Sequence, residues 1–321
     1  MLPFPAKSVL DLIGHTPVLQ LNRIQKQLGL RGRLLAKLEQ INPGGSKKDR
    51  VALQIIRAAH REAKLARGQP VLEVTSGNTG TGLAIVCRAM GHPFFAVMSR
   101  GNTRERAQMM RALGAEVVLV DQDPASTPGR VNGADMKLVR AKAAELVKSL
   151  GAFFCDQLEN PANGAAHEFG TAVELWNQCG GELDAIVAFV GSGGALGGLA
   201  RGLRRHQPEL RVFVVEPAEA TSLACCCCSN ASHLIQGGGY GRDRLTQLQG
   251  VAIDQYIACT DENATAAARL LAIEEGILAG YSTGAQLHAS IDLMRGELAG
   301  ETVAFLVCDS GMKYLSTELY P

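Results

Sequence analysis

The sequence predicts an α/β protein built as two doubly wound domains with mostly parallel sheets. Three observations lead there. Short apolar runs of strand length alternate with amphipathic segments of helical period, from about residue 34 to residue 215. Glycine- and hydroxyl-rich loops follow directly after several of those runs. The chain has 321 residues, 46% hydrophobic and 20% charged, which suits one large or two medium domains with an ample core.

Taken in order, Leu34 to Glu39 reads as a strand. Asp49 to Leu65 reads as a helix with Ala52, Ile55, Ile56 and Ala59 on one face. Pro70 to Val74 is a strand and Gly80 to Met90 a helix. Phe94 to Met98 is the next strand; Thr103 then caps a helix through Ala112, which Gly114 ends. Glu116 to Val120 is a strand, residues 121–133 a loop, and Ala134 to Leu150 a helix. After a polar stretch the pattern resumes with strand Asp184 to Val190, helix Leu196 to His206 and strand Arg211 to Val215. Thr302 to Cys308 is a buried strand near the end. Repeated strand–loop–helix units predict parallel sheet with helices on both faces. No repeat of solenoid period is visible. The domain boundary falls near Gly151. Ligands of open α/β sheets sit off the carboxyl ends of the strands, so loops there are expected to converge on one cleft.

Bulk properties exclude several classes. A formal net charge of +1 gives no electrostatic case for nucleic acid or membrane, and 5% aromatic residues offer no stacking platform. Met1 to Pro5 lacks the basic-then-apolar pattern of a secretory signal, and runs such as Ala185 to Val190 are too short to span a bilayer. A soluble cytoplasmic protein is expected. Of nine cysteines, Cys87, Cys155, Cys179, Cys259 and Cys308 are scattered in mostly apolar surroundings, as small buried hydrophobes are. Cys225 to Cys228 are consecutive, unlike a disulfide framework. The formal pair Cys225 and Cys228 has no second ligand pair at zinc-ribbon spacing, so no metal is expected.

Four segments carry candidate chemistry. In Asn42-Pro43-Gly44-Gly45-Ser46-Lys47-Lys48-Asp49-Arg50 a lysine pair follows a Pro/Gly turn and opens an amphipathic helix. The dipole at a helix N-terminus disfavours an ammonium, as a Schiff-base amine requires. Composition does not choose between Lys47 and Lys48, and an isolated lysine pair is usually solvated. Thr75-Ser76-Gly77-Asn78-Thr79-Gly80 joins strand to helix. It reads either as a helix cap or as donors converging on a carboxylate. Gly191-Ser192-Gly193-Gly194 lies between a strand and a helix starting near Ala195. It lacks the third glycine of a dinucleotide fingerprint, because Leu196 stands there, and the lysine of a Walker loop. It suits a monophosphate, or is a plain turn. Asp309-Ser310-Gly311 follows the last strand as a turn, or places Ser310 on a pyridine nitrogen. A neutral hydroxyl there weakens the electron sink and suits β-elimination of a good leaving group. Together these are the parts that hold pyridoxal 5'-phosphate.

With those segments in order, the chain closely resembles the cysteine synthase and cystathionine β-synthase family, the fold type II (tryptophan synthase β-like) pyridoxal-phosphate enzymes. The likeness also covers Ile13 to Val18, the segment with Gln157, Asn160, Pro161, Asn163 and His167, the stretch Glu275-Gly276-Ile277 with Gly280, Ser282 and Gly284, and Tyr314-Leu315-Ser316. It implies Lys48 as the Schiff-base lysine and Asn78 as a cofactor contact. It implies Gly191, Ser192, Gly193, Gly194 and Ala195 as the phosphate loop, and Ser310 at the ring nitrogen. Thr75, Ser76, Gly77, Thr79 and Gln157 then hold the substrate carboxylate. It also implies a smaller mobile domain over residues 41–150 and a larger one from 1–40 and 151–321, acting as a cytoplasmic homodimer in cysteine biosynthesis.

The implied reaction is β-replacement on serine or an O-activated serine through an α-aminoacrylate, with sulfide as the usual nucleophile. Lys48 removes the α-proton, and closure of the smaller domain keeps water out. A β-eliminating lyase of the same fold and a non-catalytic binding protein are the alternatives. Departures from the family are Lys47 at a usually apolar place, Ala195 for threonine, and Ser99 to Thr103 for a Pro-containing loop. Cys225 to Cys228 falls in a variable segment before His233 to Tyr240. Neither a regulatory C-terminal pair nor a haem segment is expected.

Overall fold

The computed structural model describes residues 5–129, 131–224, 233–239 and 242–321. Cys225 to Cys228 and Tyr240 lie outside them, as does most of the Met1 to Pro5 segment. The strands are β1 (Val18–Gln20), β2 (Arg33–Lys37), β3 (Val71–Val74), β4 (Phe94–Ser99), β5 (Glu116–Val120), β6 (Phe153–Phe154), β7 (Ala185–Phe189), β8 (Arg211–Pro217), β9 (Gln255–Cys259) and β10 (Thr302–Leu306). The helices are α1 (Asn22–Leu28), α2 (Lys48–Arg61), α3 (Asn78–Met90), α4 (Arg104–Ala112), α5 (Gly133–Leu150), α6 (Ala162–Ala166), α7 (Ala172–Gln178), α8 (Gly194–Arg204), α9 (Asp261–Glu275) and α10 (Tyr281–Arg295). A π-helical turn, His167–Thr171, joins α6 to α7.

The chain forms two compact units, one reaching to Ile13 and resuming over Asn42–Ala162, the other made of Gly14–Ile41 and Asn163–Pro321. The smaller unit holds an all-parallel sheet in the order β5-β4-β3-β6. Its chain runs past the expected boundary at Gly151 because β6 pairs with β3, Phe153 opposite Val71 and Phe154 opposite Leu72. Leu72 and Val97 pack with Val139 and Ala143 of α5 on one face. Strand alternation therefore turns Val71 and Glu73 to the opposite face.

The larger unit holds a six-stranded sheet in the order β1-β2-β10-β7-β8-β9, parallel except for the β1–β2 pair. Alternate residues feed two cores. Ala185, Val187 and Phe305 face α9 and α10, while Ile186, Ala188 and Leu306 face α7 and α8. Coverage on both faces is why these strands read as continuous apolar runs.

Element ends differ from the sequence reading in small ways. The first expected strand stops at Lys37, and Glu39 starts a 3-10 turn. The helix expected to reach Leu65 ends at Arg61, and Ala63 takes a positive φ of 54°. Thr103 stands at the N-cap of α4 but makes no side-chain capping bond there. The helices α9 and α10 had no sequence counterpart. Buried Ser282, Thr283, Gln286 and Ser290 break the apolar stripe of α10. Three of these side chains are bonded within the core: Gln286 Nε2 donates to Ser282 O, the Ser290 hydroxyl donates to Gln286 O, and the Thr283 hydroxyl oxygen accepts from Cys308 N–H.

Candidate active site

In the smaller unit, the Pro/Gly turn fixes where α2 begins. Gly45 N–H closes the turn on Asn42 O at 2.7 Å, with a positive φ of 71° that glycine adopts without strain. Gly44 N–H donates to the buried Asp49 carboxylate, and Lys48 N–H donates to Ser46 Oγ at 3.2 Å. Lys48 is the first residue of α2 and Lys47 its N-cap; both are half-buried. Gly82 of α3 lies where a Cβ would press within 3.1 Å of Lys48 O and Asp49 Cα. The missing side chain lets α3 pack against the start of α2.

The side chain of Lys48 reaches Gln157, its Nζ standing 3.5 Å from Oε1. The same oxygen accepts from Thr79 Oγ1 at 2.5 Å. Three residues singled out in the sequence thus meet at one atom. Thr75 closes the asparagine loop, its Oγ1 accepting from Gly80 N–H at 3.0 Å and Gly77 N–H at 3.5 Å. This is the capping reading, with the hydroxyl two residues ahead of the N-cap Gly77. Ser76, Gly77 and Asn78 stay half-buried at the positive end of α3.

In the larger unit, Gly191 to Ala195 links β7 to α8. Gly193 has φ +79°, and a Cβ there would come within 2.8 Å of Leu248. Asn163, 1% exposed, donates from Nδ2 to Ser192 Oγ at 2.9 Å, and that oxygen also accepts from Gly194 N–H at 3.3 Å. With both acceptor positions used, the Ser192 proton is left to donate. Ser310 Oγ accepts from Met312 N–H at 3.3 Å as a cap, which likewise leaves its proton to donate.

The profile of the family described as pyridoxal-phosphate dependent enzymes matches residues 9–309. This chain belongs to that family. It is 38% identical to a cysteine synthase of Staphylococcus aureus over 98% of this chain and 97% of that one. The crystal structure of an O-acetylserine sulfhydrylase (isoform 3) from Entamoeba histolytica superposes with a TM-score of 0.89 at 34% identity, covering 98% of this chain and 91% of that one. A hydrogen sulfide-producing enzyme from Fusobacterium nucleatum does so with a TM-score of 0.87 at 36% identity, covering 97% and 98%. The fold is therefore that of the fold type II pyridoxal-phosphate enzymes, and pyridoxal phosphate is the cofactor.

The residues present fit that cofactor. At Gly194 a Cβ would collide with the Asn163 amide, and at Gly193 with Leu248. The loop is thus held as bare backbone at the positive end of an 11-residue helix, a cradle suited to a monophosphate. Ala195 adds no hydroxyl to it. Three of the described cysteines, Cys87, Cys155 and Cys259, are unsuited to nucleophilic work. Burial pushes the Cys87 and Cys259 thiols up to about 12 and holds Cys155 well above the usual range. Among the described residues no group of three or more His, Cys, Asp or Glu is placed to hold a metal. Nor is any helix long and apolar enough to cross a membrane.

Sequence reasoning missed Glu73. It is 2% exposed on β3, and burial raises its carboxyl from 4.5 to about 8. The one available signal was a charge inside the apolar run Val71-Leu72-Glu73-Val74.

Proposed function

We propose that this enzyme is a cysteine synthase: it replaces the β-substituent of an O-activated serine, acetyl or phosphoryl, with sulfide. The observation that carries the reading is the meeting of Lys48 and Thr79 at Gln157 Oε1. A lysine ammonium only donates, so the shared atom is the amide oxygen, and the other end of the Gln157 amide, Nε2, is a donor. That donor, with the hydroxyls of Thr75 and Ser76 and the N–H groups of Ser76 and Asn78, suits a substrate carboxylate. Bound pyridoxal phosphate supplies the electron sink for the pair left at the α-carbon. Lys48 would hold the cofactor, and its Nζ would take the α-proton. Gln157 and Thr79 hold that amine in reach. Gly191 to Ala195, with the Ser192 hydroxyl, would hold the phosphate, Asn78 would meet the ring oxygen, and Ser310 would donate to or share a proton with the ring nitrogen.

Borohydride reduction of the holoenzyme followed by peptide mapping tests the lysine. The label belongs on Lys48, and label on Lys47 overturns the assignment. Product analysis with O-acetylserine and sulfide tests the reaction, with cysteine the expected product.

Elimination without a nucleophile is the second reading. The likeness to the hydrogen sulfide-producing enzyme favours it, and pyruvate formed from cysteine in the absence of added sulfide would establish it. A cytoplasmic homodimer accompanies the first reading, and size-exclusion chromatography with light scattering tests the dimer.

A further inference from the structure

We propose that Glu73 is a positioning residue for the reaction: its carboxylate clamps the backbones of Val74 and Gln157, and so holds the asparagine loop and Gln157 at one spacing. The proposal rests on the reading of Gln157 as a substrate-carboxylate donor.

The geometry comes from where the sheet runs out. The pairing of β3 with β6 ends at Leu72 opposite Phe154, and its last rung is Cys155 N–H to Leu72 O at 3.0 Å. Asp156 then takes a positive φ of 48°, and the Cys155 carbonyl is turned to the Asn160 amide at 2.8 Å. Beyond that point β3 has no neighbour on this side. Thr75 N–H donates to Val97 O of β4, so the alternation of a parallel ladder sends Val74 N–H to the β6 side, where β6 has ended. Glu73 fills the gap. Its Oε1 accepts from Val74 N–H at 2.8 Å and its Oε2 from Gln157 N–H at 3.0 Å. Two segments that no longer share a ladder are tied through one side chain. One leads into Thr75, Ser76 and Asn78; the other is Gln157 itself, which meets Lys48 and Thr79.

Two N–H donors on two oxygens suit an ionised carboxylate. A protonated carboxyl sets an O–H against those donors and weakens one bond of the clamp. The charged and titratable groups interacting with Glu73 are Lys48 of α2, and Asp156 and Cys155 of the segment after β6; Cys87 of α3 interacts with Cys155 in turn. Burial outweighs the two hydrogen bonds and Lys48, so the carboxyl changes state at about pH 8. Grip on the amino acid therefore strengthens as pH rises through that range.

The test is the dissociation constant of O-acetylserine, read from the spectral change of the bound cofactor across about pH 6 to about pH 9. Glu73→Gln presents an NH2 to one of the two donors. Its constant should rise roughly 10- to 100-fold at alkaline pH, with cofactor content unchanged and the wild-type pH inflection abolished. Val74→Pro keeps the carboxylate but removes one donor. Its inflection should move up by about half a unit to one unit, which keeps the idea testable if Glu73→Gln does not fold. A wild-type response with the same constant and inflection in both variants would overturn the role of Glu73. Absence of any wild-type response to serine-type amino acids would instead overturn the functional reading, and this proposal with it.

Discussion

Replacing Gly198 with alanine should loosen the phosphate loop from a distance. Gly198 lies on the inner side of α8, four residues after Gly194. A Cβ there would come within 2.9 Å of Glu168 N and closer still to the Gly164 carbonyl oxygen. Ordinary contact needs roughly 3.5–4.0 Å, so the helix must retreat by about 1 Å. These two atoms are backbone, the third in the way is His167 Cβ, and none of them can rotate away. Overpacking of this kind costs about 1–3 kcal/mol. The retreat also carries Gly193 and Gly194 with it, and a displacement of about 1 Å in a positioning element can cost roughly 100-fold in activity. The assay is titration of the apoenzyme with pyridoxal phosphate, alongside urea denaturation. Gly198→Ala should lower affinity for the cofactor at least about tenfold, against a loss of ~1–3 kcal/mol in the denaturation. Gly133→Ala, at the first position of α5 with nothing near the new Cβ, should be neutral or slightly stabilising and is the control. If Gly198→Ala binds pyridoxal phosphate as the parent does, the link between α8 packing and the phosphate loop is wrong.

Other outcomes follow from single contacts. Asn163→Ala removes the donor that orients Ser192 and should weaken pyridoxal phosphate binding about 5- to 10-fold in the same titration. Lys37, fully buried, gives its three donors to Thr16 O, Glu174 Oε2 and Gln178 Oε1 at 2.5, 2.7 and 2.8 Å. Lys37→Met should cost about 3–5 kcal/mol by denaturation, and adding Glu174→Leu should recover part of that loss. Glu73 also links stability to pH. Its carboxyl is raised from 4.5 to about 8, so the folded chain holds the proton more tightly than the unfolded one. The stability this confers is full below about pH 4.5 and is lost as pH rises through about 8, by at most ~5 kcal/mol. The denaturation midpoint should fall over that window in the wild type and fall less in Glu73→Gln.

Much of the fold was legible before any coordinates, because strands covered on both faces write themselves as apolar runs. The runs at β3, β4, β5, β7, β8 and β10 fall within two residues of the strands observed. The helices α9 and α10 were not legible, since α10 buries Ser282, Thr283, Gln286 and Ser290 and ties three of them with bonds that no periodicity records. The four candidate segments were legible because glycine, proline and hydroxyl residues cluster where backbone must turn or bare its amides.

What the sequence determined, then, was the alternating α/β pattern and the positions of the lysine, asparagine, glycine and serine loops, since composition and spacing are local properties. Only the tertiary structure decided which atoms meet. It sets Gln157 against Lys48 and Thr79, more than seventy residues away along the chain in each case. It ends β6 at Phe154 and fills the gap with Glu73. It anchors Ser192 on Asn163 and leaves α8 room only for glycine at Gly198. Those contacts depend on where one strand stops and how closely two helices pack, and neither is written in any single stretch of residues.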